Sequence, residues 1–245
     1  MKKLAVFVEG QTEQLFIERL IQEIAGQNDI VIDRRKLTGG GRSLPSLLRL
    51  WTSSSHPEPK YYILIFDCGG YTTVKSHVRD NYEKMVSNGY FSIICLRDVY
   101  PEFQYTEISK LRSGLKYGMR TNPIQVAFVL GVMEIETWFI CEHTHFARMH
   151  PSLTPVHIKA SLGYDPSVDD MQLRPIPSDD LDAIYRLVGR RYRKDYRHMM
   201  QLLDRLDYAY LYCEVLHRLP DLNLLVESIS SFLADMPLPT PASAS

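Results

Sequence analysis

The sequence predicts an α/β protein: a parallel, doubly wound sheet flanked by helices, followed by a mainly helical C-terminal region. Three observations predict it. Apolar runs at 4–8, 61–66, 91–96 and 124–132 are continuous rather than alternating, as in strands buried on both faces. Stretches with apolar residues at helical spacing lie between them, and this strand–helix alternation is the signature of a parallel sheet. Three runs also end in an acid, Glu9, Asp67 and Asp98. Right-handed crossovers bring the C-terminal ends of parallel strands to one sheet edge, and these acids with them.

The elements follow in order. Residues 4–8 form the first strand, and Leu15, Phe16, Ile17, Leu20, Ile21 and Ile24 then mark a helix that Gly26 stops. A second strand spans 30–37 and runs into Gly39-Gly40-Gly41. A short helix is expected next, with Ser43 as cap, Pro45 in its first turn and Leu47, Leu48 and Trp51 facing inward. Tyr61 to Phe66 is the clearest strand. A helix over 73–87 buries Val74, Val78, Tyr82 and Met85; a strand over 91–96 leads to Arg97-Asp98. Helix is expected over 105–118 and strand over 124–132. Five prolines between 151 and 177 leave 143–182 with little periodicity, and 182–234 reads as two or three helices. The chain thus divides into an α/β part over 1–140, a helical part over 141–236 and a Pro/Ser/Ala-rich tail over 237–245.

Composition narrows the class. With 45% hydrophobic and 23% charged residues in 245, the chain is an ordinary globular protein, and its net charge of −1 requires any nucleic-acid affinity to come from a local patch. Cys68, Cys95, Cys141 and Cys213 form no CxxC pair, so a reducing cytoplasm without disulfides is expected. The strand-like start argues against a signal peptide, and no apolar run approaches a membrane span.

The carboxylates carry the chemistry. Glu9 ends a fully apolar strand, a costly place for an acid unless a cation or donors satisfy it. Glu13 lies in the first helical turn, where it either faces the same cation or complements the helix dipole. Asp98 is either a site acid or a solvated turn acid paired with Arg97. Glu134 and Glu136, two apart, share a face on a strand and diverge if a helix has already begun.

Val8-Glu9-Gly10-Gln11-Thr12-Glu13, followed by an apolar helix, resembles the first motif of the TOPRIM (topoisomerase–primase) fold. More narrowly it is similar to the version in overcoming-lysogenization-defect (OLD) nucleases and small stand-alone TOPRIM proteins of bacterial defence loci. The second family motif, Asp-x-Asp, falls on Asp67-Cys68-Gly69, where Gly69 replaces the second acid. Val132-Met133-Glu134-Ile135-Glu136-Thr137-Trp138 is similar to a later acid-x-acid string of the stand-alone group. The likeness covers roughly residues 1–140. It implies a Mg²⁺- or Mn²⁺-dependent centre for phosphodiester chemistry. Glu9 would be ligand and general acid/base, Glu13 and Asp67 ligands, and Glu136, with Glu134, part of a second metal site. Gly69 weighs against two-metal catalysis, and Asp98 is the residue that compensates. The implied role is a nuclease effector of anti-phage defence acting on DNA or RNA. Its expected partners are nucleic acid, an ABC- or SMC-like ATPase and a second copy of the chain.

Two basic features remain. Gly39 to Ser43, with Arg42, is either a phosphate cradle at a helix N-terminus or a flexible turn. Between Tyr185 and His198 stand Arg186, Arg190, Arg191, Arg193, Lys194 and Arg197 against the single acid Asp195, interleaved with three tyrosines. Such a segment contacts phosphates and stacks on splayed bases, or is a solvated helix face. Lys194 is also a candidate to reach a scissile phosphate. His143-Thr144-His145 lacks metal-site spacing, and no G-x-S-x-G elbow occurs. The alternative to a nuclease is a non-catalytic TOPRIM-like subunit that binds metal or nucleotide. A small-molecule Rossmann enzyme is disfavoured because no G-x-G-x-x-G follows the first strand.

Overall fold

A computed structural model describes residues 1–26, 29–40, 43–54, 59–70 and 73–234. Strands β1 (Lys2–Val8), β2 (Ile30–Gly40), β3 (Ser43–Ser54), β4 (Tyr61–Asp67), β5 (Ser92–Asp98) and β6 (Gln125–Gly131) form one sheet in the order β3-β2-β4-β1-β5-β6. Every pairing is parallel except β2 with β3. The fold is a Rossmann-like α/β arrangement, as the continuous apolar runs predict.

Alternation along β1 sorts the helices into two layers. Leu4, Val6 and Val8 join an apolar cluster with α1 (Gln11–Ala25). Ala5 and Phe7 point the other way and pack with α2 (Val74–Ser87) and α3 (Ile108–Lys116). The C-terminal helices extend the first cluster. They are α4 (Glu136–Cys141), α5 (Thr144–Met149), α6 (Pro155–Leu162), α7 (Pro177–Arg186), α8 (Tyr196–Leu203), α9 (Tyr208–Cys213) and α10 (Pro220–Leu233). Phe16 of α1 meets the rings of Trp138 and Phe139, at 5.8 and 5.3 Å between centroids, so the residues on either side of 140 share one core. At the far edge, Leu130 N–H of β6 donates to Asp221 of α10 at 2.9 Å, giving an edge-strand donor a partner.

The structure corrects three expectations. The short helix after Ser43 is instead β3, the return arm of a hairpin with β2. The parallel sheet would otherwise end on the unpaired backbone of the long strand β2, and folding β3 back supplies those hydrogen bonds. Pro45, read as a first-turn helix residue, falls where the register shifts between the Gly40–Ser43 and Thr38–Ser46 pairs, on an edge strand that tolerates proline. Consequently no helix N-terminus follows Gly39-Gly40, and the phosphate-cradle reading fails; Arg42 itself lies outside the described residues. Residues 143–182 also hold more order than their prolines suggest. Pro155 and Pro177 stand in the first turns of α6 and α7, where a missing N–H costs nothing. All four cysteines are free, three of them buried. No described helix is long and apolar enough to cross a membrane.

Candidate functional site

The site lies where the topology diverges. From β1 the chain passes into α1 on one face of the sheet. From β5 it turns towards α3 on the other, and β1 and β5 are neighbours. Such a switch point opens a crevice at the C-terminal ends of the strands. Glu9 and Asp98 stand at its two lips, and Glu9 Oε2 accepts from the Asp98 N–H at 3.0 Å. One turn into α1, Glu13 reaches back to accept from the Gly10 N–H at 2.9 Å. Glu13 is therefore both a helix cap and a member of the acid group.

The third side comes from the chain after β6. Met133, buried, has a φ of +60°, a left-handed conformation that strains a residue with a side chain. Its carbonyl is held by the Tyr100 N–H at 2.8 Å. The turn starts α4 at Glu136, so Glu134 and Glu136 do not share a strand face. They meet through a different partner: Lys194 Nζ lies 3.1 Å from Glu134 Oε1 and 3.0 Å from Glu136 Oε1. Tyr192 OH donates to Glu136 Oε1 at 2.6 Å, and the Ser178 N–H to Glu134 Oε2 at 2.7 Å. Glu136 is fully buried, and its Oε2 has no hydrogen-bond partner among the described residues.

Asp98 is a site acid rather than a solvated turn residue. It is buried, its Oδ1 accepts from the Ile135 N–H at 3.0 Å, and Arg97 turns instead to Glu102 at 2.8 Å. Gly131 makes this possible: a Cβ there would sit 2.2 Å from Asp98 Oδ1 and 2.9 Å from the Ile135 nitrogen. Gly131→Ala is expected to displace the Asp98 carboxylate and cost about 1–3 kcal/mol, the usual cost of overpacking. A urea melt checks it, and an unchanged midpoint would show that the turn yields freely.

Burial is the main cause of the electrostatics. It pushes Glu9 up to about 7 and Glu13 to about 8, the latter aided by the charges of Glu9 and Glu136. Asp98 is held well above the carboxylate range by burial and by Glu13, Glu9 and Glu136, and burial also raises Glu136. Burial disfavours the Lys194 ammonium, yet the charges of Glu136, Glu134 and Asp98 outweigh it and hold the lysine protonated. The acids feel one another as a cluster, with Lys194 the cation bridging it.

Asp67 is at the same edge but one strand over, opposite Val8. Its carboxylate accepts from the Gly69 N–H at 2.9 Å and lies 3.4 Å from Lys36 Nζ. Gly69 has a φ of +73°, so the turn after β4 favours glycine where the motif has a second acid. As placed, no group of three or more His, Cys, Asp or Glu among the described residues could hold a metal ion. The fit to Mg²⁺ or Mn²⁺ is one of donor chemistry. The donors are all oxygen, one is a buried carboxylate oxygen with no partner, and such cations commonly take one or two carboxylates with waters and phosphate.

The basic segment divides among several roles. Residues 190–194 lie between α7 and α8 rather than on a helix face. Arg186 and Arg191 pair with Asp182, while Lys194 turns to the acids. Tyr185 and Tyr192 are buried and offer no stacking platform; Tyr196 is exposed. The hydroxyl of Tyr192 on Glu136 is the contribution a sequence scan for charged residues misses.

Fold and site together define a Rossmann-like α/β protein with a carboxylate–lysine centre at its switch point. Comparison with protein-family models, curated proteins and solved structures returns no match to this chain.

Proposed function

We propose that the chain is a Mg²⁺- or Mn²⁺-dependent nuclease that cleaves phosphodiester bonds of DNA or RNA. The observation that carries this is the cluster of Glu9, Glu13, Asp98 and Glu136 at the switch point, held at raised pKa values, with Lys194 bridging Glu134 and Glu136. Buried acids in mutual repulsion suit a cation, and Glu136, whose Oε2 has no partner, with Glu13 would hold it, water and phosphate supplying the other ligands, while Glu9 and Asp98 stand beside them. A divalent cation bound there supplies Lewis-acid stabilisation of a phosphoryl oxygen.

The protein's own groups account for the rest. Glu9, at the edge of the acid cluster and accepting the Asp98 N–H, takes the proton of the attacking water. Lys194, with 43% of its side chain exposed, meets both the acids and an incoming phosphate and places positive charge on the scissile group. Tyr192 orients Glu136. Asp67, engaged by Lys36, supports a one-cation rather than a two-cation arrangement. The defence role, the ABC- or SMC-like ATPase partner and self-association are proposed from the motif likeness.

The full chain, incubated with DNA and with total RNA, should cut one of them in Mg²⁺ or Mn²⁺, with or without a candidate ATPase, and stop cutting in EDTA. The glycine at 69 favours one rival, a non-catalytic subunit. Metal binding by calorimetry without cleavage of any substrate, under all partner conditions, would establish that rival.

A further inference from the structure

The residues between α7 and α8 divide between two places. Tyr192 and Lys194 reach the carboxylates. Arg191 and Arg193 are exposed and, with Arg190, His198, Gln201 and Met149, line a cavity of about 380 Å³. No carboxylate lines it. The acids close by are engaged: Asp182 takes Arg191 at 3.3 Å as well as Arg186, and Asp195 takes His198 Nδ1 at 2.7 Å. Arg190 and Arg193 have no ion pair among the described residues. Arg186 and Arg197 are not in the lining.

We infer that this cavity is a discrete phosphate-binding pocket, holding a phosphate of the strand whose scissile linkage lies at the carboxylates. The inference rests on the proposed phosphodiester chemistry and adds where the strand is anchored. Three arginines, two of them without an ion pair among the described residues, line one concavity, and guanidiniums bind phosphate in bidentate fashion and stay charged to meet it. The volume falls within the roughly 300–1,000 Å³ of ligand-sized pockets. Met149 is the sole apolar side chain in the lining and the His198 imidazole its one ring, held by Asp195, so the groups left to recognise a ligand are guanidiniums, which suit an oxyanion. Arg193 is the chain neighbour of Lys194, which sets the anchor beside the cleavage centre. Two sources share this chemistry, a terminal phosphate monoester and an internal phosphodiester.

The test uses the full chain in EDTA, where binding is read without cleavage. Single-stranded DNA and RNA oligonucleotides, each with a 5′-phosphate, a 3′-phosphate or neither, are titrated by fluorescence anisotropy against salt. Arg190→Gln and Arg193→Gln are each expected to weaken binding about tenfold and to lower the salt slope by about one per lost contact. Lys84→Gln, an exposed cation of α2 on the other face of the sheet, should leave the slope unchanged. If the ligand is a terminal phosphate, phosphorylated oligonucleotides bind wild type more tightly and the double variant erases that advantage. If it is internal, the variants weaken all three equally. Pyrophosphate titrated by calorimetry reports on the pocket without a nucleic acid, and the double variant should lose that binding as well. Equal oligonucleotide affinity and equal pyrophosphate binding in wild type and double variant would overturn the pocket. So would the absence of binding in both assays. Continued Mg²⁺-dependent cleavage in either case would leave the nuclease reading standing. Conversely, pyrophosphate binding lost in the variants of a protein that cuts nothing would keep the pocket and remove the nuclease. Both arginines are exposed, so unchanged thermal melts are expected for the variants.

Discussion

Glu9→Gln is expected to lower Mg²⁺-dependent cleavage by about 10²–10⁴-fold, the range for removing a group that moves a proton in the transition state. The loss should fall on kcat more than on KM, because the amide still fills the space and can accept the Asp98 N–H that Glu9 Oε2 takes at 3.0 Å. The same variant should be more stable than wild type in EDTA at pH 8, by about 1–3 kcal/mol, since it removes a half-buried charge held at a raised pKa. The two readouts separate function from structure. Cleavage at the wild-type rate would mean Glu9 takes no part in the chemistry. A variant melting below wild type in EDTA would make Glu9 a structural acid.

A second large effect is the pH dependence of stability in the metal-free protein. Burial raises Glu13 from 4.5 to about 8 and Glu9 from 4.5 to about 7. The native state therefore binds more protons than the unfolded chain between these values. Stability contributed by the protonated acids is fully present below about pH 4.5 and is lost as the pH rises through 7 to 8. Other groups titrate in the same window; burial lowers His77 and His143, for example, which works in the opposite direction. The comparison is thus with Glu13→Gln, whose side-chain oxygen can keep the Gly10 cap. The variant and wild type should be about equally stable near pH 4.5, and the variant should gain about 2–4 kcal/mol by pH 9. Mg²⁺ should stabilise wild type at pH 8 and much less at pH 5, where the acids hold their protons. Parallel stability–pH curves in chemical denaturation would show that Glu13 titrates like a surface acid.

The strands that build the centre are legible in the sequence because burial on both faces leaves a local mark. Residues 4–8 and 61–66 read as uninterrupted apolar runs and become β1 and β4. The segment 43–54 is not legible in the same way. Its apolar residues fit a short helix on spacing alone, and what decides for β3 is the open edge of β2, a partner distant in spatial logic though near in sequence. The acids at strand ends are likewise visible, but their grouping is not. Asp67 and Asp98 look equivalent along the chain. The order β4-β1-β5 then places both beside β1, and side-chain contacts decide between them: the Asp98 N–H donates to Glu9, while Asp67 is engaged by Lys36 and Gly69.

What the sequence alone determined is the set of parts: strands marked by continuous burial, carboxylates at their ends, and a run of cations near residue 190. Tertiary structure decided which parts meet. Lys194 and Tyr192 join Glu134 and Glu136 across about 60 residues of chain because the C-terminal helices share the core of α1 and carry residues 190–194 to the crevice. Gly131 and Met133 gain their meaning only there, one by leaving room for Asp98 and the other by a turn that sets Glu136 at the start of α4. The physical reason is one of range. Periodicity and capping act over a few residues and can be read locally, whereas the charge cluster is fixed by packing between segments that the sequence keeps far apart.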